Sequence, residues 1–229
     1  MLNHHSAAIF PYFIDDKLRF ITEQKDPGYK PPFFDNGLNL LGGNWQRGDS
    51  DPKELLQREI NEEFWRAYEG PESLNNLLSQ EFLHVEPNVI AQYDTASVKR
   101  IGEIADILSE NEHMGDFIVT VKPPITNDNL TYAASVFGKE LTKEEYTNIT
   151  KILDEFNNQV TTDNLKRGNK TIATTIEDCN LYNSKFAWGY DHILNHLNEK
   201  KIIRPLSLVE VEPVKAGSFA DFAREYGYR

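Results

Sequence analysis

Three glutamates at helical spacing are the residues of this chain best suited to chemistry. Glu59, Glu62 and Glu63 lie at positions i, i+3 and i+4, so on a helix their carboxylates project within about 100° of one another. Like charges on neighbouring turns repel, and each such pair costs about 0.2–0.5 kcal/mol unless something compensates. Mg²⁺ or Mn²⁺ would compensate, because both cations favour carboxylate oxygens. The spacing therefore indicates either a divalent-cation site or a solvated acidic face.

A glycine-rich turn and a helix-start signal precede these glutamates. Positions 42–65 read GGNWQRGDSDPKELLQREINEEFW. Asp51 followed by Pro52 is typical of a cap and a first helical position, so we predict that a helix begins there. We expect this helix to continue to about Glu69, where Gly70 would stop it. The helix would carry the carboxylates beside an apolar stripe that can be buried.

This combination resembles the signature of the Nudix hydrolase family, which is a glycine, five residues, an acid, seven residues, then Arg-Glu-apolar-x-Glu-Glu-x-Gly-apolar. Here Gly43 is followed by five residues and Asp49, and Arg58 opens the run Arg-Glu-Ile-Asn-Glu-Glu. The chain departs from the signature in several places. Asp49 replaces a glutamate, eight residues rather than seven separate it from Arg58, and Trp65 and Arg66 replace the final glycine and apolar residue.

The resemblance implies a metal-dependent hydrolase that cleaves the pyrophosphate linkage of a nucleoside diphosphate derivative, with water as the nucleophile. It implies that Glu59, Glu62 and Glu63 bind Mg²⁺ or Mn²⁺ and are catalytic, and that the Gly43 backbone approaches the metal. Arg58 is counted with the catalytic residues; it lies on another side of the helix and would hold a glutamate or the loop through a salt bridge. The alternative is a catalytically weak or inactive Nudix-fold module that binds or senses a nucleotide. The longer helix and the extra loop residue motivate that alternative.

The general base cannot be transferred from the family, because relatives differ in where it lies. Glu63 is one candidate within the signature. The candidates outside it, each near a predicted strand end or loop, are Glu112, Glu140 and Glu177. His5, close to the N-terminus, is expected to be exposed and receives no role.

Substrate contacts are expected from aromatic side chains near the signature. Phe33 and Phe34 lie in a proline-rich loop over positions 26–37, and Trp45 follows the glycine turn. Each ring could stack on a planar group of the substrate. The other interpretation is that these rings pack the loop against the core.

The composition limits the kinds of partner that the protein is expected to bind. A formal charge of −12 argues against a protein that binds nucleic-acid grooves, since phosphate neutralisation needs clustered Lys and Arg. A small-molecule nucleotide derivative remains compatible if a metal supplies positive charge. With no apolar run of about 18 residues and no secretory signal pattern, we expect no membrane partner and a cytoplasmic location. Similar proteins are often dimers, so the resemblance leaves a homodimer open.

Hydrophobic patterns along the chain predict an α+β fold. The resemblance implies a Nudix-type α/β/α sandwich with a mixed sheet and helical insertions. The predicted strands are 7–14, 18–22, 38–41, 117–121, 171–176 and 206–211, and the helices beyond the signature are 96–111, 141–156 and 184–197. We predict one domain over residues 1–229, with helical insertions at about 70–115 and 126–170.

Overall fold

The structure, a computed structural model, describes residues 4–16, 18–25, 37–66, 95–121, 130–162, 170–175, 186–199 and 212–213. The strands are β1 His4–Ile14, β2 Leu18–Gln24, β3 Leu38–Asn39, β4 Leu41–Asn44, β5 Glu112–Val121, β6 Leu130–Glu140, β7 Lys170–Thr175 and β8 Glu212–Pro213. The helices are α1 Pro52–Glu63, α2 Thr95–Ser109, α3 Lys143–Thr162 and α4 Tyr190–Glu199, with a 3₁₀ turn at Ala187–Gly189 before α4. None of the described helices is both long enough and apolar enough to cross a membrane.

The strands form one mixed sheet. Its order is β3-β2-β1-β6-β5-β8, with β4 also pairing with β1 and β7 with β2. At the centre β1 and β6 run parallel, in a register that extends from His4 opposite Tyr132 to Tyr12 opposite Glu140. The other pairings are antiparallel. The predicted opening hairpin is confirmed, because β1 and β2 pair in antiparallel register, with Ile14 opposite Leu18.

Helices cover both faces of the sheet. Alternate residues of β1 point to opposite sides, as in any strand: Ala7 and Ile9 contact the apolar residues of α1, α2 and α3, and Ala8 and Phe10 contact those of α4. All four side chains are fully buried. The predicted α+β class, with a mixed sheet between two helical layers, is therefore confirmed.

Strand β6 lies at the centre of the sheet and was not predicted from the sequence. Its sequence, LTYAASVFGKE, contains alanines, a serine and a glycine, which have weak strand propensity. It forms a strand because β1 and β5 pair with it on its two sides. The predicted strand 117–121 is part of β5, which pairs with β6 on one side and with β8 on the other. The range 126–170 supplies strand β6 as well as helix α3. Strand 206–211 lies outside the described residues, and the single-domain organisation stays a prediction.

Candidate functional site

Helix α1 begins where the sequence predicts. The Asp51 carboxylate accepts a hydrogen bond from the Glu54 backbone N–H at 2.8 Å, and Pro52 occupies the first turn. The helix ends at Glu63, so the predicted continuation to Glu69 is wrong. Trp65, at the position of the signature's second glycine, adopts a φ of 57°. This left-handed conformation, which usually favours glycine, ends the helix.

The two glycines of β4 bring its backbone close to both the sheet and the helix. Gly43 pairs with Ala7 of β1, and a Cβ atom at Gly43 would lie 2.3 Å from the Glu59 Oε2 atom. Gly42 has a φ of 140°, and its N–H lies 3.4 Å from the Glu63 Oε1 atom. The glycine pair therefore holds two of the three predicted carboxylates against the edge of β4.

Arg58 joins the turn to the helix. Its Nε and Nη2 atoms donate to the two Asp49 oxygens at 2.9 and 3.0 Å, and Nη2 also donates to the Asn44 carbonyl at 3.1 Å. Its Nη1 atom donates to Glu59 at 2.8 Å and to Glu62 at 3.3 Å. The guanidinium thus lies among the glutamates, and the expected salt bridge to a glutamate or to the loop is confirmed. The expectation that Arg58 projects to a different side is wrong, because Glu62 follows Arg58 by four residues and lies on the same face of the helix.

Burial makes the carboxylate cluster electrostatically costly. Glu59 and Glu62 are each 4% exposed. Burial raises the pKa of Glu59 to about 7, with the charges of Glu63 and Glu62 adding to the rise and Arg58 opposing it. Burial likewise raises the pKa of Glu62 above its usual value, again against the effect of Arg58. One arginine therefore only partly offsets the cost of the buried negative charge.

The donor set suits a hard divalent cation, since carboxylate oxygens buried beside a glycine backbone are the ligands that Mg²⁺ and Mn²⁺ prefer. The side-chain positions differ from those of a complete metal site. Within the described ranges, no three His, Cys, Asp or Glu side chains are arranged to hold a metal ion. Arg58 binds Glu59 and Glu62 instead. A cation at this site would therefore compete with Arg58 for those carboxylates.

Two of the base candidates outside the signature are too far away. Glu140 pairs with Tyr12 at one end of β1, while Gly43 pairs with Ala7. Five residues of strand separate Ala7 from Tyr12, or about 16 Å at 3.3 Å per residue. Glu112, opposite Gly138 in the same sheet, is similarly distant. Glu63 remains the candidate adjacent to the cluster, and Glu177 lies outside the described residues.

Trp45 is held by a chain of polar side chains, buried at His5 and Ser135, that the sequence analysis did not find. The Trp45 backbone N–H donates to the His5 carbonyl at 2.8 Å, and the indole ring stacks on the His5 ring with centroids 6.4 Å apart. His5 Nε2 lies 3.1 Å from the Ser135 hydroxyl, which donates to Asp116 at 2.6 Å. His113 also contacts Asp116, at 3.0 Å.

His5 is 3% exposed, so the expectation that it is exposed is wrong. Burial lowers its pKa to about 4, with Asp116 opposing the shift. The Ser135 hydroxyl donates its proton to Asp116, so it accepts a hydrogen bond from the neutral His5 ring. A serine that a histidine base activates would instead donate its proton to the histidine. The hydrogen-bonded series of His5, Ser135 and Asp116 therefore positions Trp45 and does not activate Ser135 as a nucleophile. The other two aromatic candidates, Phe33 and Phe34, lie outside the described residues.

Together, the fold and the cluster define an α+β protein with an acidic helix packed against a glycine-containing strand. No family model matches the sequence, and a search of curated proteins found no significant match. Among solved structures, the chain is similar to the NUDIX domain of Shewanella oneidensis NrtR complexed with ADP ribose. That domain is 9% identical, at a TM-score of 0.43, with 88% of this chain and 90% of that chain covered.

Two further solved structures show the same level of similarity. A Nudix hydrolase from M. smegmatis, RenU, is 8% identical, with 89% of this chain and 91% of that chain covered and a TM-score of 0.38. The C. elegans Ap4A hydrolase is 12% identical, with 88% and 96% covered and a TM-score of 0.36.

Proposed function

We propose that this protein is a metal-dependent hydrolase that cleaves the pyrophosphate linkage of a nucleoside diphosphate derivative. The observation that carries the proposal is the burial of the Glu59 and Glu62 carboxylates beside Gly43. The Glu63 carboxylate accepts a hydrogen bond from the backbone N–H of Gly42. A protein gains little stability from carboxylates buried in this way. Their sequence spacing also matches the Nudix signature, which supports a catalytic use.

The carboxylates would bind the cation, and Arg58 would hold in place the turn that precedes their helix. When bound, Mg²⁺ or Mn²⁺ would neutralise the pyrophosphate and lower the pKa of a water molecule. Glu59 and Glu62 would exchange contacts with Arg58 for contacts with the ion. Arg58 would keep its paired hydrogen bonds to Asp49, which hold the turn before the helix in place. Glu63 would either bind the ion or accept the proton of the attacking water.

The test is product release from a panel of nucleoside diphosphate derivatives, measured with Mg²⁺, with Mn²⁺ and with chelator. We expect metal-dependent cleavage of at least one compound and a loss of more than about 100-fold in kcat in Glu63→Gln or Glu62→Gln. The matched control is Glu103→Gln, which makes the same change at an exposed position of α2. Full activity in both active-site variants, with their fold intact, would refute the proposal.

A nucleotide-binding module without efficient hydrolysis is the second candidate. One observation favours it: Arg58 pairs with both Glu59 and Glu62. This pairing would hinder a cation that needs those carboxylates. This candidate predicts that a nucleotide raises the melting temperature of the protein while no product appears under any metal condition.

A further inference from the structure

One end of the polar series beside Trp45 lies at the protein surface. The hydrogen-bonded series runs from His5 through Ser135 to Asp116 and continues to His113. His5 and Ser135 are 3% and 1% exposed, whereas the side chains of His113 and Asp116 are 47% and 43% exposed. The series therefore connects a histidine in contact with water to an indole ring beside the glycine-containing strand.

The buried end of the series meets the turn over residues 44–49, which binds Arg58. Trp45 lies in this turn, with its N–H bonded to the His5 carbonyl and its ring stacked on the His5 ring. The carbonyl just before Trp45 accepts a hydrogen bond from Arg58 at 3.1 Å. The N–H just after Trp45 donates at 2.9 Å to Asp49, the carboxylate that Arg58 also binds. A change in the position of Trp45 is therefore passed to both contacts between the turn and Arg58.

His113 is the member of the series that titrates near neutral pH. Its hydrogen bond to Asp116 raises the pKa of His113 above 6.5, against the effect of burial. Although burial opposes the change, hydrogen bonds from His113 and Ser135 lower the pKa of the Asp116 carboxyl, so it stays ionised. Burial lowers the pKa of His5 to about 4, which keeps that ring neutral. A histidine in contact with water therefore carries the charge that changes between pH 6 and 8.

Other charged groups face His113 less directly. Among the described residues, Asp116 is the one carboxylate within ion-pair distance of His113, with the Nε2 and Oδ1 atoms 3.0 Å apart. Lys139 pairs with Glu110 at 3.3 Å and with Glu145 at 3.5 Å. Charges across solvent interact weakly, so Asp116 has the largest effect. The charged or titratable side chains that line the same surface cavity as His113 are Tyr12, Lys53, Glu110, Glu112, Lys139 and Glu140.

We propose that the proton on His113 controls how firmly the turn over residues 44–49 is held, and that the hydrogen-bonded series transmits this control. While the proton is present, a charge-assisted hydrogen bond fixes the Asp116 carboxylate, which in turn fixes the Ser135 hydroxyl and the ring beyond it. Loss of the proton weakens the first bond, so the Trp45 ring becomes less ordered. The turn is therefore held more firmly below pH 6.5 than above it, and His113 is a positioning residue.

The consequence for the reaction rests on the proposed function, in which Trp45 contacts the substrate. As pH rises from about 6 to about 8.5, the KM of the wild type should increase by about 2–5-fold relative to that of His113→Gln, the effect that a partly exposed ion pair can have. The kcat values of the two proteins should change in parallel, because His113 touches neither the substrate nor the glutamates. Equal KM profiles would contradict this role in an active enzyme.

The deciding experiment needs neither metal nor substrate. The indole N–H signal of Trp45, assigned with Trp45→Phe, is followed by NMR over the same pH range together with the ring signals of His113. We expect the Trp45 signal to move with the midpoint of His113 and to stop moving in His113→Gln. The matched control is Glu110→Gln, which removes a charge from the same cavity but outside the series and should leave the Trp45 titration unchanged.

A further variant separates the series from the field of the His113 charge. Ser135→Ala interrupts the series and leaves the pair of His113 and Asp116 in place, so the Trp45 signal should no longer follow His113. If that variant fails to fold, Asp116→Asn serves the same purpose, because His113 still titrates in it. A Trp45 signal that is stationary in the wild type, or that still follows His113 in the interrupted variant, would overturn the proposal.

This result is independent of the result for the proposed function. A Trp45 signal that follows His113, without hydrolysis of any panel compound, would refute the hydrolase and leave the control by His113 standing. Hydrolysis with a stationary Trp45 signal would refute the control by His113 alone.

Discussion

Arg58→Lys tests whether the arginine fork, rather than its charge alone, holds the turn against α1. Arginine makes five hydrogen bonds here, two of them paired on Asp49. Lysine keeps the positive charge but replaces the planar fork with a single ammonium group. It can reach one or two of these oxygens, so the substitution removes at least the paired contact with Asp49.

The size of the loss follows from the number and burial of these contacts. A hydrogen bond to a charged group contributes about 1.5–3 kcal/mol, and at least two are lost. The Arg58 side chain is 21% exposed, so water replaces part of the interaction, and we expect the lower end of the range. The free energy of unfolding should fall by about 3 kcal/mol, which for a chain of this size lowers the melting temperature by roughly 6–12 °C.

The assay is urea unfolding at neutral pH, supported by a thermal melt. The matched control is Arg100→Lys, which changes an arginine that pairs with Glu155 at an exposed position, with side-chain exposures of 40% and 50%. Exposed pairs contribute about 0–1 kcal/mol, so the control should lose less than about 0.5 kcal/mol. If Arg58→Lys loses no more stability than Arg100→Lys, the role assigned to the fork is wrong.

Two further substitutions test other parts of the structure. The unfolded state binds a proton at His5 below pH 6.5 but the native state only below about pH 4, so stability is lost as pH falls through that window. In urea unfolding at pH 7 and pH 4.5, wild type should lose about 2.5 kcal/mol more than His5→Phe, and equal losses would contradict this assignment. In Trp65→Gly, relief of the positive φ should stabilise the protein by about 1–2 kcal/mol. The same substitution removes an indole that is 2% exposed, and this loss should destabilise the protein by about 3–5 kcal/mol. Chemical denaturation should show a net loss, and a more stable variant would mean that strain dominates.

Local chemistry explains which parts of the site were predictable from the sequence. The start of α1 depends on Asp51 and Pro52, which act on the backbone beside them, so the sequence was sufficient. The end of the same helix was not predictable, because the left-handed conformation of Trp65 is maintained by burial of its ring in a core formed by distant segments. The spacing of the glutamates indicated a shared face, but their burial and their pairing with Arg58 required the packed structure.

Long-range pairing explains what the sequence analysis missed. Strand β6 has weak strand propensity, and β1 and β5 hold it at the centre of the sheet. The same pairing brings Ser135 to His5 across 130 residues, which converts an N-terminal histidine into the support for Trp45. No local signal marks either residue, since each gains its role from the register between β1 and β6.

By itself the sequence determined the α+β class, the position of the acidic helix and the identity of its carboxylates, because these depend on residue type and on spacing within a few turns. The tertiary structure decided that Glu59 lies against Gly43 and that Arg58 lies among the carboxylates. Each of those contacts joins segments that are separated in sequence, and strand pairing and the packing of the core bring these segments together.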